Sequence, residues 1–359
     1  MFKELLLFVI ALIIILNLNI LFIIKISLII ILFLLIISEF ERRLKINSIK
    51  FWYPDYFNSE ILNFDNNIPE EIKQKSFYGR EIAKKSKIVI CGLARNLEKI
   101  IINSIKKMEV IGENFYDYRI IIFENDSSDN TRNLIKEYSL ENNNKIILLD
   151  CDHLGSSDCK LKNKEGYEYG VVSQERINKM AQYREEYLKY IKNNLTDYEY
   201  VLVCDLDLEG NHCIDGLFTS LAKEDWDVIY INGRNTYYGL FGLITVAYDS
   251  IAYVDYNHSF SEKLTFTTFW DNLMLMNYGL LNCDEFLEVK SAFNGFGLYK
   301  LNSIKNASYL KGNLRCEHNN ISKHIYENGG KQYINKYWTG YFRLQGPDGL
   351  INLFKSLLK

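Results

Sequence analysis

The chain opens on a stretch that is apolar almost without interruption: LLLFVIALIIILNLNILFII over residues 5–24, Lys25, then ISLIIILFLLII over 26–37. A membrane span takes about 20 such residues, so residues 1–38 are expected to form a transmembrane anchor. The run exceeds the core of a signal peptide and lacks a small-residue cleavage site. Lys25 with Asn17 and Asn19 could turn a hairpin, but the second arm is short, and one tilted span is preferred. Arg42, Arg43, Lys45 and Lys50 follow the apolar block, against Lys3 before it. That bias puts the rest of the chain, and any catalytic face, in the cytoplasm.

Residues 39–86 read as a juxtamembrane connector. Its cluster FWYPDYF (51–57) suits the headgroup level of a membrane or a loop packed on a domain. Pro69, followed by Glu70 and Glu71, opens a helix. From Lys87 the rhythm changes. KIVICGL (87–93), YRIIIFEN (118–125), KIILLD (145–150) and YEYVLVCDLDL (198–208) read as buried strands. Between them, 96–112, 128–143 and 173–194 have helical spacing, with Ser128 or Asp129 capping the second and Ser173 the third. Continuous apolar strands alternating with helices predict an α/β fold over 87–345: a Rossmann-like, mostly parallel sheet flanked by helices. Residues 346–359 (GPDGLINLFKSLLK) break at Pro347 and restart as a short amphipathic helix.

Ligands of such a sheet bind beyond the carboxyl ends of its strands. Three ends carry suitable chemistry: GLARN after the first, ENDSSDNT after the second and CDLDLEG after the fourth. Residues i and i+2 of a strand share a side, so Asp205 and Asp207 project together. Paired carboxylates repel unless a proton or cation lies between them. Their hard oxygens suit Mg²⁺ or Mn²⁺, bound through one or two carboxylates plus substrate phosphates. An acidic pair alone is a weak signal; at the end of an apolar strand it is a stronger one.

Composition narrows the field further. A net charge of −3 leaves no electrostatic footprint for nucleic acid. Seven cysteines, with no CxxC pair, fit reduced structural thiols better than a zinc site or a disulfide framework. Sequons occur at Asn125, Asn194, Asn257, Asn306 and Asn320; two of them fall among the candidate site residues, where a glycan would obstruct.

KIVICGLARN (87–96), IIIFENDSSDNTRNLI (120–135), RINKMAQYREEYL (176–188), VLVCDLDLEG (201–210), SAFNGFGLYK (291–300) and RCEHNNISKHI (315–325) occur in that order over 87–337. This ordered set resembles the GT-A glycosyltransferases, and within them the fungal capsule-associated mannosyltransferases with their bacterial and viral relatives. The resemblance implies a GT-A fold and a metal-dependent hexosyltransferase that moves a sugar from a UDP- or GDP-sugar to a glycan, lipid-linked or protein acceptor. It implies that Asp205 and Asp207 hold Mn²⁺ or Mg²⁺ on the donor diphosphate, with His318 completing the metal site and Glu317 as the substitute ligand. Arg95 and Asn96 would approach the nucleotide, and Glu124, Asn125 and Asp126 would bind base or ribose. Arg176 and Arg184 would face the phosphates. SAFNGFGLYK would line the sugar pocket. Asp249, in VAYDSIAYV (246–254), is the candidate acceptor contact or general base, in competition with Asp227, Asp284 and Glu285. GRNTYYGLFG (233–242) and NHSFSEKLTFTTFWDN (257–272) depart from the family pattern, so neither the acceptor nor the family's mannose carries over.

Three other classes compete. A haloacid-dehalogenase-type phosphatase would carry Thr or Val where Glu209 stands, and its aspartates on the first strand. A sugar nucleotidyltransferase would show a longer, glycine-rich basic loop than GLARN. A membrane-tethered scaffold on a degenerate glycosyltransferase fold would lose cation binding.

Overall fold

The computed structural model describes residues 22–49, 63–141, 145–151, 174–208, 210–239, 242–260, 266–310, 312 and 314–345, with Ile10, Ile13 and Ile15. Helix α1 (Phe22–Ile49) runs alongside the later elements β7 (Gly242–Ala247) and α7 (Phe266–Asn282). It exposes Phe22, Ile30, Ile31, Phe33 and Leu35. Among the described residues no helix is long and apolar enough to cross a membrane, so the anchor expected over 1–38 is not seen. Most of residues 1–21, the aromatic cluster at 51–57 and the C-terminal helix expected over 346–359 lie outside the described residues.

Helix α2 (Glu70–Ala83) starts after Pro69 with Glu70 and Glu71 in its first turn, as the sequence leads one to expect. It packs on α6 (Ile214–Ala222), where Asp215 accepts hydrogen bonds from Arg80 (2.7 Å), Ser76 (2.9 Å) and the Phe64 amide (2.7 Å). Part of the stretch 39–86 is therefore docked on the following domain.

The first half of the domain alternates strand and helix. β1 (Lys87–Ala94), α3 (Ile101–Gly112), β2 (Asp117–Glu124), α4 (Thr131–Glu141), β3 (Ile146–Asp150), α5 (Gln174–Asn194) and β4 (Tyr200–Asp205) place four parallel strands in the order β3-β2-β1-β4. Both faces are covered, which is why these strands are apolar throughout rather than alternating. Ile88 and Ile90 of β1 join a core with Ile101 and Ile105 of α3. Val89 and Cys91 join the opposite core, with Tyr183 and Tyr187 of α5.

Beyond β4 the sheet changes character. β5 (Asn211–His212), β6 (Val228–Gly239), β7, β8 (Phe286–Val289), β9 (Phe296–Lys300) and β10 (Gln332–Gln345) complete ten strands in the order β3-β2-β1-β4-β9-β6-β10-β5, with β7 on β6 and β8 on β10. β9 runs antiparallel to both β4 and β6, β7 to β6, and β5 and β8 to β10; β10 is parallel to β6. The sheet is thus mixed, not mostly parallel. A tight connection from β6 to β7 replaces the helical crossover that parallel pairing requires. Helices α7, α8 (Leu301–Ile304) and α9 (Glu317–Glu327) complete the α/β layers.

The cysteine expectation also needs correction. Cys91, Cys204, Cys213, Cys283 and Cys316 are free thiols, but Cys151, just past β3, is disulfide-bonded. The absence of CxxC spacing carries no information about pairing across a loop.

Candidate active site

β1, β2 and β4 each end in a turn that carries polar side chains above the sheet. After β1, Asn96 sits at φ +55° and its Oδ1 accepts the Ser128 amide at 2.8 Å, while the Asn96 amide donates to Ser127 Oγ at 3.0 Å. After β2, Asp126 sits at φ +40° beside the Arg95 guanidinium, at 3.5 Å. Asp129 accepts the Thr131 amide at 3.0 Å and its hydroxyl at 2.5 Å, so it performs the expected cap. These bonds lock the first two loops to one another.

Above the strand ends lies a cavity of about 570 Å³. Arg95, Asn96, Asn125, Arg176, Arg184, Asp205, Asp207, Asp249, Glu317 and His318 all line it. The sequence-based candidates thus converge from β1, β2, α5, β4, the β7 exit and the N-terminus of α9. Two do not line it. Glu124 is buried below the loop, where its Oε1 accepts the Ser127 amide at 2.8 Å. Asp126 lies behind Arg95. Of the four candidate bases, only Asp249 reaches the cavity. Asp227 accepts from Ser303 and the Lys331 amide, Glu285 pairs with Lys75, and Asp284 is exposed.

Arg184 differs most from its expected role. Its buried guanidinium lies between two carboxylates: Nη2 is 3.2 Å from Asp205 Oδ1, and Nε donates to Glu317 Oε1 at 3.0 Å. Nη1 reaches the Tyr187 hydroxyl at 3.3 Å. Burial disfavours its charge, yet Tyr187, Glu317 and Asp205 hold its pKa above the ordinary value. It is a structural counter-ion within the floor of the site. The second oxygen of Asp205 accepts a hydrogen bond from the Tyr248 hydroxyl at 3.1 Å.

The acidic groups are poised for positive charge. Burial raises the Asp205 pKa to about 6; Arg184 opposes the rise and the neighbouring Asp207 charge adds to it. Asp249, at φ +51°, is pushed well above the carboxylate range by burial and by the Asp205 and Glu317 charges. Burial is the larger part of both shifts; the smaller part is mutual repulsion, which a cation relieves.

The residues present fit a divalent ion in one mode and not in another. Among the described residues no three His, Cys, Asp or Glu side chains are grouped to hold a metal, so the set Asp205, Asp207 and His318 is not assembled. His318 instead stacks on Phe293, centroids 3.5 Å apart, with Nε2 3.7 Å from Glu317 Oε1. Burial and Arg184 keep the ring neutral, and its buried Nδ1 makes no hydrogen bond among the described residues. Two carboxylates that line one cavity and repel each other do fit an ion completed by substrate phosphates.

Phe293, in the stretch expected to line the sugar pocket, lines the cavity, as do Tyr248, Arg315, Met180, Ile177 and Ile251, which were not singled out from the sequence. Tyr248 adjoins Asp249 in VAYD, and Arg315 lies two positions before Glu317 in RCEH. Their position beside a charged motif was the available signal.

No family model matches the chain, and no curated protein does. Solved structures that resemble it include GalNAc-T7 with UDP, GalNAc and Mn²⁺, at 9% identity and TM-score 0.42, covering 80% of this chain and 55% of that one. Staphylococcus aureus TarS 1–349 in complex with UDP gives 13% identity and TM-score 0.40, over 76% of this chain and 64% of that one. The same protein with UDP-GlcNAc gives 14% and 0.39, over 72% and 59%. The chain therefore spans under two thirds of each of these structures. Likeness at this level decides neither the family nor the activity, and no capsule-associated mannosyltransferase is among these structures.

Proposed function

We propose that the protein is a GT-A-type glycosyltransferase that moves a sugar from a nucleoside-diphosphate donor to a glycan, lipid-linked or protein acceptor. One observation carries this reading: Arg95, Asn125, Arg176, Asp205 and Asp207, from four separate elements, line a single cavity of about 570 Å³ at the carboxyl ends of parallel strands. Basic groups and a carboxylate pair facing one cavity suit a diphosphate bridged by a divalent cation. The ion, Mn²⁺ or Mg²⁺ held by Asp205 and Asp207, would neutralise charge on the departing diphosphate as a Lewis acid.

The chain's own residues do the remainder. Arg95 and Arg176 bring positive charge to the phosphate oxygens, and Asn125 offers an amide to base or ribose. Arg184 fixes the orientation of Asp205 rather than touching substrate. Asp249, the one of the four candidate bases that lines the cavity, takes the acceptor hydroxyl's proton in an inverting reaction. The apolar N-terminus would attach the domain to a membrane, which favours a lipid-linked acceptor.

The test uses the full chain in detergent and a panel of UDP- and GDP-sugars. Release of nucleoside diphosphate is measured with Mn²⁺, with EDTA and with Asp207→Asn. We expect release from one donor, lost with EDTA and reduced at least 100-fold by the substitution, since an electrostatic contact to developing charge is worth about that much. A folded protein that neither binds nor cleaves any donor would instead be a scaffold.

A further inference from the structure

The two oxygens of Asp205 are held very differently. On one side, Arg184 is almost wholly buried and also tied to Glu317 and Tyr187. A guanidinium bonded to three partners in a low-dielectric floor does not leave cheaply, because departure strands two carboxylates. On the other side, the Tyr248 hydroxyl donates to Oδ2 at 3.1 Å from a half-buried ring that lines the cavity and packs edge-on against Phe342. The phenol is neutral. A divalent cation attracts the same oxygen by a full charge, so of the two occupants Tyr248 is the one it can displace.

We propose that Tyr248 is a positioning residue that competes with the divalent cation for Asp205 Oδ2, so that arrival of the ion and release of the Tyr248 hydroxyl are one event. The inference rests on the cation-binding part of the function proposed above. Before any ligand arrives, Arg184 and Tyr248 satisfy one oxygen of Asp205 each. The competition also gives the ion a route to the next residue. Asp249 follows Tyr248 directly at a left-handed backbone position, so a ring that leaves Asp205 alters the corner carrying the candidate base.

The decisive measurement is Mn²⁺ affinity without donor or turnover, read from loss of the free-ion electron paramagnetic resonance signal on titration of the full chain in detergent. Wild type, Tyr248→Phe and Asp205→Asn are compared. Tyr248→Phe keeps the ring and its packing but removes the hydroxyl, so it should bind Mn²⁺ roughly tenfold more tightly, the scale of one hydrogen bond to a charged acceptor. Asp205→Asn should bind at least tenfold more weakly. A gain in affinity is not what a merely damaged fold produces, so it reports competition. If Asp205→Asn weakens binding while Tyr248→Phe leaves it unchanged or weaker, the competition is overturned and the cation site stands. If neither wild type nor Tyr248→Phe binds Mn²⁺, whether UDP is absent or present, the inference and the cation part of the proposed function fall together, and donor binding alone then decides the rest. Binding by Tyr248→Phe where wild type shows none would support the competition in its strongest form.

Discussion

The two halves of the sheet supply the cavity in different ways. In the parallel half, β1, β2 and β4 stop at nearly the same level, and their last residue or the next one or two are the site: Arg95 and Asn96, Asn125, Asp205 and Asp207. In the mixed half the site residues come from the exit of a hairpin and the first turn of a helix: Tyr248 and Asp249, then Glu317 and His318. The first group is placed by strand register, which a one-residue slip would invert. The second is placed by contacts between segments far apart in the chain. Parallel architecture thus fixes the charged groups at the strand ends, while the rest of the lining is built from pieces that can change without disturbing them.

The sharpest way to break this division is to cut the tie between the halves. Arg184 links Asp205 of β4 to Glu317 of α9. Arg184→Leu should cost about 3–5 kcal/mol in urea unfolding, because it strands two partly buried carboxylates. A loss below about 1 kcal/mol would mean that solvent reaches both and that the halves are not joined there. Within the mixed half, Asn335 plays the corresponding role for β10. Its Nδ2 faces Gly216 O, Thr219 Oγ1 and Ser220 Oγ, and its Oδ1 accepts the Tyr337 and Trp338 amides across the register shift between Asn335 and Thr339. Asn335→Ala should lose about 2–3 kcal/mol by leaving those groups unmet, read by thermal and urea unfolding. It should leave Mn²⁺ affinity unchanged if the halves are independent away from Arg184.

The smallest effect concerns pH. His212, on β5, is buried edge-on to Phe296, with neither ring nitrogen hydrogen-bonded among the described residues. Burial and the Lys107 charge lower its pKa to about 3. The unfolded chain takes up a proton near pH 6.5 that the folded one refuses, so this group's contribution to stability is complete above that pH and declines as pH falls toward 3. At pH 5 the loss amounts to at most ~2 kcal/mol. His212→Phe should flatten the stability profile between pH 7 and 5; an unchanged slope would assign the acid sensitivity to other groups.

What could be read from the sequence divides along the same line. The apolar strands, the helix after Pro69, the Asp129 cap and the strand-end residues follow from local pattern, because burial on both faces and turn chemistry leave marks within a few positions. The mixed strand order does not. β9 inserts between β4 and β6 through pairings such as Cys204 with Phe296, about ninety positions away, and no short-range signal records them. The resemblance implies that Arg184 faces the phosphates, and it does line the cavity. Its ion pair with Glu317, 133 positions on, depends on packing and leaves no mark in the sequence. His318 was read as a metal ligand for its chemistry; the Phe293 ring that stacks on it comes from another loop.

Four corners of the site set a limit on how this protein can change. Asn96, Asp126, Asp249 and Asn294 are the non-glycine residues with left-handed φ among the described residues, and each lines the cavity or adjoins a residue that does. Any residue other than Asn, Asp or Gly at such a position costs roughly 1–2 kcal/mol. Drift can therefore rewrite the side chains between the corners, and with them what the cavity accepts, far more freely than the corners themselves. A family descended from this chain would diverge in specificity while keeping these four turns, and a library built to redirect it would keep more folded members by confining those codons to the same three residues.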